Sequence, residues 1–284
     1  MDVLAVDLDV REGSDEEAHA AAADALRQLG ATARTFLKID STLRGPVAGL
    51  ISGALDGGGQ SLAIVAPAFP EQGRFVRGGR LHIGDRPGVS LVDTLRASGS
   101  VIVDAETSEH LRRVADAASS HPDWLLVGSA GLARQVAPPH QDLATASAGD
   151  GPILVVAGSP TPVTRAQLQH LEGLARVVPM ATPPSETRDG GEAAAALAER
   201  VTAWARHNTP GAVVLTGGAT ARAVSHRLHA TSLRILGEVA PGIPFGKIQD
   251  GVWHDVTVVT KAGGFGTPET LLDVVRALGV SSVR

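Results

Sequence analysis

No cysteine occurs in the 284 residues, which excludes disulfides, zinc–thiolate centres and thiol nucleophiles and points to a reducing compartment. Aromatic residues amount to 3%, and no block of Lys and Arg interrupts a net charge of -5. Without stacking platforms or a basic stripe, nucleic acid is not an expected partner. Long apolar runs are missing as well. The opening "MDVLAVDLDVREGSDEE" has no basic leader and turns acidic after one short apolar run, so no membrane association is expected and the chain reads as cytoplasmic.

The standard phosphate signatures are also absent. "GIPFGKI", Gly242 to Ile248, has the wrong spacing for a Walker A loop and no hydroxyl after Lys247. No G-x-G-x-x-G follows the first strand of a domain, which removes the fingerprint of a dinucleotide-dependent oxidoreductase. The ten histidines form no metal pattern: His226 and His229 sit three apart, but no third ligand and no HExxH accompanies them, so no protein-borne metal site is expected. Trp204 and Trp253 read as packing residues.

What is present is alternation. Short runs rich in Val, Ile and Leu (Val3 to Leu8, Phe36 to Ile39, Leu62 to Ala66, Val101 to Val103, Trp124 to Val127) alternate with Ala-rich amphipathic segments such as Asp15 to Leu29 and Pro46 to Leu55. That is the pattern of βα units with a mainly parallel sheet. "FVRGGRLHI", Phe75 to Ile83, reads as a hairpin around Gly78-Gly79. Ala137 to Pro152 is rich in Pro, Ala, Gly and Ser without periodicity and reads as a linker. The βα pattern then restarts at Ile153 to Ala157, with further strands at Ala212 to Leu215, Leu233 to Leu236 and Val256 to Thr260 and helices from about Thr164 and Ala219. The expected fold is therefore two α/β domains, residues 1–140 and 150–284, with a cleft between them.

Ligands of open α/β sheets bind beyond the carboxyl ends of strands. Polar clusters fall there: "DSTLRG" after Ile39, "GSAG" after Val127, "AGSPTPVT" after Val156, "TGGAT" after Leu215 and "TKAGGFG" after Val259. The last three suit a phosphate or nucleotide, because glycine admits close approach and helix N-termini favour anionic oxygens. Each loop alone is also what an ordinary turn or cap uses. In "KIDSTLRG", Arg44 offers a fork for a carboxylate or phosphate, Lys38 a point charge, and Asp40 a carboxylate for a hydroxyl, a set that fits a small hydroxy acid. The plain alternative is that Asp40 or Ser41 caps the next helix. "PAFPEQGR" adds Glu71 and Arg74 on a Pro-rich loop.

Taken in order, "KIDSTLRG", "APAFPEQGR", "GSAGLA", "VVAGSPTPVTRAQL", "LTGGATARAV", "GEVAPGIPFG" and "TKAGGFG" resemble the four-carbon acid sugar kinase family. The resemblance implies an N-terminal domain for a four-carbon sugar acid, a C-terminal domain for ATP with Mg2+, and phosphoryl transfer in the cleft. It implies a substrate site at Asp40 and Arg44, with Lys38 and Ser41 beside them. On the nucleotide side it implies Ser159, Gly217 to Thr220 (Gly217, Gly218, Ala219, Thr220), Glu238 and Gly242, and Gly263, Gly264 and Gly266. The family's opening "ADD-x-TGA" motif has no counterpart here, which implies that a first βα unit is missing. An apolar sheet edge left there is a surface a second copy could cover, giving a homo-oligomer. "GDRPGVSLVDTL" is also shorter than the family's corresponding loop. Both departures lie on the sugar-acid side, so the rival reading is a nucleotide-binding relative without turnover.

Overall fold

The computed structural model describes residues 3–30, 34–84, 86–95, 99–136, 144–158, 161–182 and 190–280. The chain divides into two compact units, Met1–Pro139 and His140–Arg284. Among the described residues, one hydrophobic cluster lies in the first unit and two lie in the second.

Unit 1 contains α1 (Asp15–Leu29), β1 (Phe36–Lys38), α2 (Val47–Gly58), β2 (Leu62–Ala66), a short 3-10 turn at Pro70–Gln72, β3 (Arg74–Arg77), β4 (Arg80–Ile83), β5 (Arg86–Ser90), α3 (Leu91–Thr94), β6 (Ser100–Ile102), α4 (Ser108–Ser119), β7 (Trp124–Gly128) and α5 (Ala130–Val136). Four parallel strands pair in the order β1-β7-β2-β6, and β3-β4-β5 form a separate antiparallel sheet. The expected hairpin is present, with β5 as an unforeseen third strand.

Helix α1 starts at a full capping box: the Ser14 hydroxyl accepts from the Glu17 N–H at 3.2 Å while the Glu17 carboxylate accepts from the Ser14 N–H at 2.8 Å. Its small residues Ala18, Ala22 and Ala23 are buried. Against it lies α2, which carries Gly49, Gly53 and Gly57 one turn apart. A Cβ at these glycines would stand 2.2 Å from the Asp15 carbonyl oxygen, 2.1 Å from that of His19 and 2.3 Å from that of Ala23. The two helices therefore touch backbone to backbone. The Asp15 carboxylate accepts from the Gly49 N–H at 2.9 Å, so α1 supplies the cap that Pro46 cannot give to α2.

Val3 to Leu8, expected as a strand, is not one. It has no strand partner among the described residues, and Val3, Leu4 and Val6 are exposed. An apolar run becomes a strand only where a neighbour takes up its backbone hydrogen bonds.

Unit 2 contains β8 (Ile153–Ala157), α6 (Pro162–Gln169), β9 (Val177–Ala181), α7 (Gly190–Ala205), β10 (Ala212–Thr216), α8 (Gly218–Arg227), β11 (Leu233–Ala240), β12 (Ile243–Ile248), β13 (Thr257–Lys261) and α9 (Thr270–Ala277). The six strands run in the order β11-β12-β13-β10-β8-β9, parallel from β13 to β9 and antiparallel at β11 and β12. Alternation along β8 separates the faces: Ile153 and Val155 join α6 and α9 in one cluster, Leu154 and Val156 join α7 and α8 in the other. "GIPFGKI" is strand β12, not a phosphate loop. Trp204 and Trp253 meet edge to face at 6.1 Å in the second cluster, as packing residues do.

The expected linker corresponds only in part: residues 137–143 lie outside the described residues. The stretch after them is docked on unit 2, with the Ala148 N–H donating to Leu278 at 3.1 Å, Gly149 to Gly211 at 2.9 Å, and Arg176 holding the Gly149 and Gly151 carbonyls. Composition alone does not reveal such backbone anchoring.

Candidate functional site

Three of the glycine-rich loops leave neighbouring strands. β13, β10 and β8 lie side by side and parallel, with Thr216 in register with both Lys261 and Ala157. The loops after Ala157, Thr216 and Lys261 therefore start together at the carboxyl edge of one sheet. The chain leaves β8 for α6 on one face and β10 for α8 on the other, which makes the β8–β10 boundary a topological switch point, the usual ligand crevice of open α/β sheets.

Close packing holds these loops. Gly217 takes φ +99°, a left-handed conformation that favours glycine, and caps α8 without any side-chain hydrogen bond to the helix. Its own N–H donates to the Lys261 carbonyl at 2.8 Å, tying two loops together. Gly158 lies against Thr220: a Cβ there would stand 2.1 Å from the Thr220 hydroxyl. The Thr216 hydroxyl is buried with no hydrogen-bond partner among the described residues. The turn between β11 and β12 also reaches this edge, since a Cβ on Gly242 would come 3.5 Å from the Phe265 ring, and the Gly242 N–H donates to Glu238 at 3.4 Å. Ser159 lies outside the described residues.

The loop Ala262 to Gly266 is held from inside. Lys261, 3% exposed, donates from Nζ to the carbonyls of Ala262 at 2.8 Å, Gly263 at 3.2 Å and Phe265 at 3.0 Å. Burial pulls its pKa down to about 8. The Thr164 hydroxyl donates to the Gly263 carbonyl at 2.7 Å, and the Gln167 amide donates to Phe265 at 3.0 Å and Thr267 at 2.8 Å. None of these three side chains was singled out from sequence. The one available signal is a lysine closing the apolar run "VTVVT".

In unit 1 the loops after β1, β7 and β2, neighbours in that order, carry the second cluster. The Asp40 carboxylate is its hub, accepting from the Thr42 N–H at 2.8 Å, the Thr42 hydroxyl at 2.6 Å, and Arg44 Nε and Nη2 at 3.2 and 2.7 Å. Arg11 adds a second guanidinium at 3.7 Å. Burial alone would push the Asp40 carboxyl up; the hydrogen bonds from Arg44 and Thr42 outweigh it and hold the group well below the usual carboxylate range. Arg74 donates to the Ser41 hydroxyl, joining the loop after β2 to the loop after β1. Buried Ser129, after β7, donates to the Ala68 carbonyl at 3.0 Å. Asp40, Ser41, Arg44 and Arg74 thus come together, while Arg11 and Thr42 are members the sequence reading missed. Lys38 precedes them in the chain and donates to the Ile39 carbonyl at 3.2 Å. Glu71 is turned elsewhere: it accepts from Ser108 at 2.7 Å, a bond that lowers its pKa.

Comparison with known proteins follows the same division. Residues 1–90 and 88–136 match the model of a sugar-binding N-terminal domain, and residues 206–271 that of a nucleotide-binding C-terminal domain. A D-threonate kinase of Bordetella bronchiseptica is 30% identical over 98% of this chain and 86% of its own length. The chain belongs to the four-carbon acid sugar kinase family. A D-threonate kinase of Salmonella typhimurium is 26% identical over 96% of this chain and 88% of its own length. A 3-oxo-tetronate kinase of Cupriavidus necator is 26% identical over 86% and 77%. The fold of this family member matches Haemophilus influenzae HI1011 (TM-score 0.68, 17% identity, 92% of this chain and 85% of that one) and a Salmonella typhimurium LT2 protein (TM-score 0.72, 18% identity, 94% and 87%). No helix among the described residues is long and apolar enough to cross a membrane.

Proposed function

We propose that this protein is an ATP-dependent, cytoplasmic kinase that phosphorylates a four-carbon sugar acid of the threonate, erythronate or 3-oxo-tetronate type. The observation that carries the reading is the convergence of the Gly158, Gly217 and Gly263 loops on three adjacent parallel strands, in a chain whose relatives are named for this activity.

The residues fit a nucleotide. Helix α8 begins without a side-chain cap, leaving N–H groups for anionic oxygens, and the space beside Gly217, Gly218 and Gly264 would let phosphate approach the backbone. Gly217 to Thr220, the glycines of the last loop and the Gly242 turn would hold ATP, with Ser159 as the expected further contact. Mg2+ would be held chiefly by phosphate and water, since no group of three His, Cys, Asp or Glu among the described residues could hold a metal. Bound MgATP supplies the phosphoryl group and neutralises the charge that develops on transfer.

In unit 1, Arg44 and Arg74, with Lys38 beside them, would bind the substrate carboxylate. Asp40 would hold Arg44 in place and orient the attacking hydroxyl. A carboxylate kept so firmly ionised is a poor proton acceptor, so orientation rather than deprotonation is its assigned role.

The test is a coupled ADP-release assay with MgATP and a panel of threonate, erythronate and 3-oxo-tetronate stereoisomers. Substrate-dependent ADP release is expected for at least one of them. Arg44→Ala should lower kcat/KM about 10²- to 10³-fold, the usual effect of removing one charge-stabilising group. No release with any member of the panel would overturn the activity, and unchanged turnover in Arg44→Ala would remove Arg44 from the site.

A further inference from the structure

We infer that Lys261 is the positioning residue of a nucleotide-phosphate loop: its ammonium gathers the carbonyls of Ala262, Gly263 and Phe265 inward, and this turns the N–H groups of Gly263, Gly264 and Gly266 outward to receive phosphate oxygens. The inference rests on the nucleotide reading of unit 2 and names what shapes that site.

The argument is one of peptide geometry. In a trans peptide the carbonyl of one residue and the N–H of the next share a plane and point in opposite directions, and no cis bond occurs among the described residues. Drawing in the carbonyls of residues 262, 263 and 265 therefore orients the N–H groups of residues 263, 264 and 266 away from the ammonium. Those N–H groups donate to nothing among the described residues, although the neighbouring Phe265 N–H is bound to Ala262 at 3.2 Å and the Thr267 N–H to Thr270 at 2.8 Å. Thr164 and Gln167 draw in the Gly263, Phe265 and Thr267 carbonyls from the side of α6, so the same polarity is imposed twice.

All three ammonium protons are used on carbonyls, so Lys261 acts through the loop and not by touching the ligand. No carboxylate pairs with it among the described residues. A buried cation without a counter-charge is costly, and an anion on the outer side of the loop supplies one. Lys261 thus provides both the shape of an anion site and the positive potential behind it.

Calorimetric titration of ADP and of adenosine into the wild-type chain, Lys261→Met and Gln167→Met separates this role from a merely structural one. Lys261→Met is expected to weaken ADP about 10- to 100-fold, the range for losing charge-assisted hydrogen bonds, with adenosine affinity within about twofold of wild type, because adenosine carries no phosphate. Gln167→Met, which removes two carbonyl anchors and no charge, should weaken ADP in the same selective way by a smaller factor and serves if Lys261→Met fails to fold. Equal losses for ADP and adenosine, or no loss for ADP, would overturn the assignment of Lys261 alone. A wild-type chain that binds neither compound would overturn the nucleotide reading beneath it.

Discussion

At the scale of single residues, the two clusters use charge in opposite ways. Asp40 is an anion surrounded by donors, and Lys261 is a cation surrounded by carbonyls. The Asp40 carboxyl lies below its unfolded value of about 3.9, so its contribution to stability is fully present above that value and is lost only as pH falls through the lower folded one. Asp40 therefore stays ionised throughout pH 5 to 8. The expected pH profile of kcat/KM has no acid limb belonging to Asp40 in that interval. An acid limb near pH 6 that disappears in Asp40→Asn would show instead that Asp40 titrates as the catalytic base. The polar residue types at both clusters were legible in the sequence because they crowd the ends of Val- and Ile-rich runs. Arg11 and Lys261 were not: the first is distant in sequence from Asp40, and the burial of the second is created by its own loop.

At the scale of elements, legibility followed how local the stabilisation is. Helix α1 carries its own cap and its own apolar face, and the strands at Leu62–Ala66, Ile153–Ala157 and Ala212–Thr216 are buried runs of branched residues; all four were readable. Val3 to Leu8 is also largely apolar, yet it has no strand partner among the described residues. β9 contains Pro179, and β12 contains Pro244 and Gly246; such residues weaken strand propensity, and tertiary pairing overrides them. The stripe of Gly49, Gly53 and Gly57 was not among the sequence expectations, because its use depends on α1 arriving opposite it. Gly53→Ala tests that use. Alanine gains up to about 1 kcal/mol of helix propensity, whereas its Cβ would fall 2.1 Å from the His19 carbonyl oxygen and force α1 and α2 apart, an overpacking cost of about 1–3 kcal/mol. Urea unfolding should show Gly53→Ala less stable than wild type. Gly190→Ala, at a helical glycine whose missing Cβ would meet nothing within 4 Å among the described residues, is the control and should be neutral or stabilising; a Gly53→Ala variant as stable as this control would mean the helices are free to separate.

At the scale of the whole molecule, each unit has its own core and its own candidate ligand cluster, so ligand stabilisation should be selective. The strand order that brings three loops to one edge in unit 2 could not be read from sequence, because adjacency of β8, β10 and β13 is set by long-range pairing. The three tryptophans report on the division: Trp124 lies in unit 1, Trp204 and Trp253 in unit 2. In Trp124→Phe, fluorescence follows the unfolding of unit 2 alone; in the double variant Trp204→Phe, Trp253→Phe it follows unit 1. ADP at about 100 times its Kd adds about 2.7 kcal/mol to the species that binds it. The expected result is a shift of the unit 2 transition to higher urea with ADP and no shift of the unit 1 transition. A sugar acid that serves as substrate should do the reverse. Equal ADP-induced shifts in both variants would show that the units unfold as one cooperative body, and a shift confined to the Trp124 signal would place the nucleotide in unit 1 and overturn the division of labour proposed for the two halves.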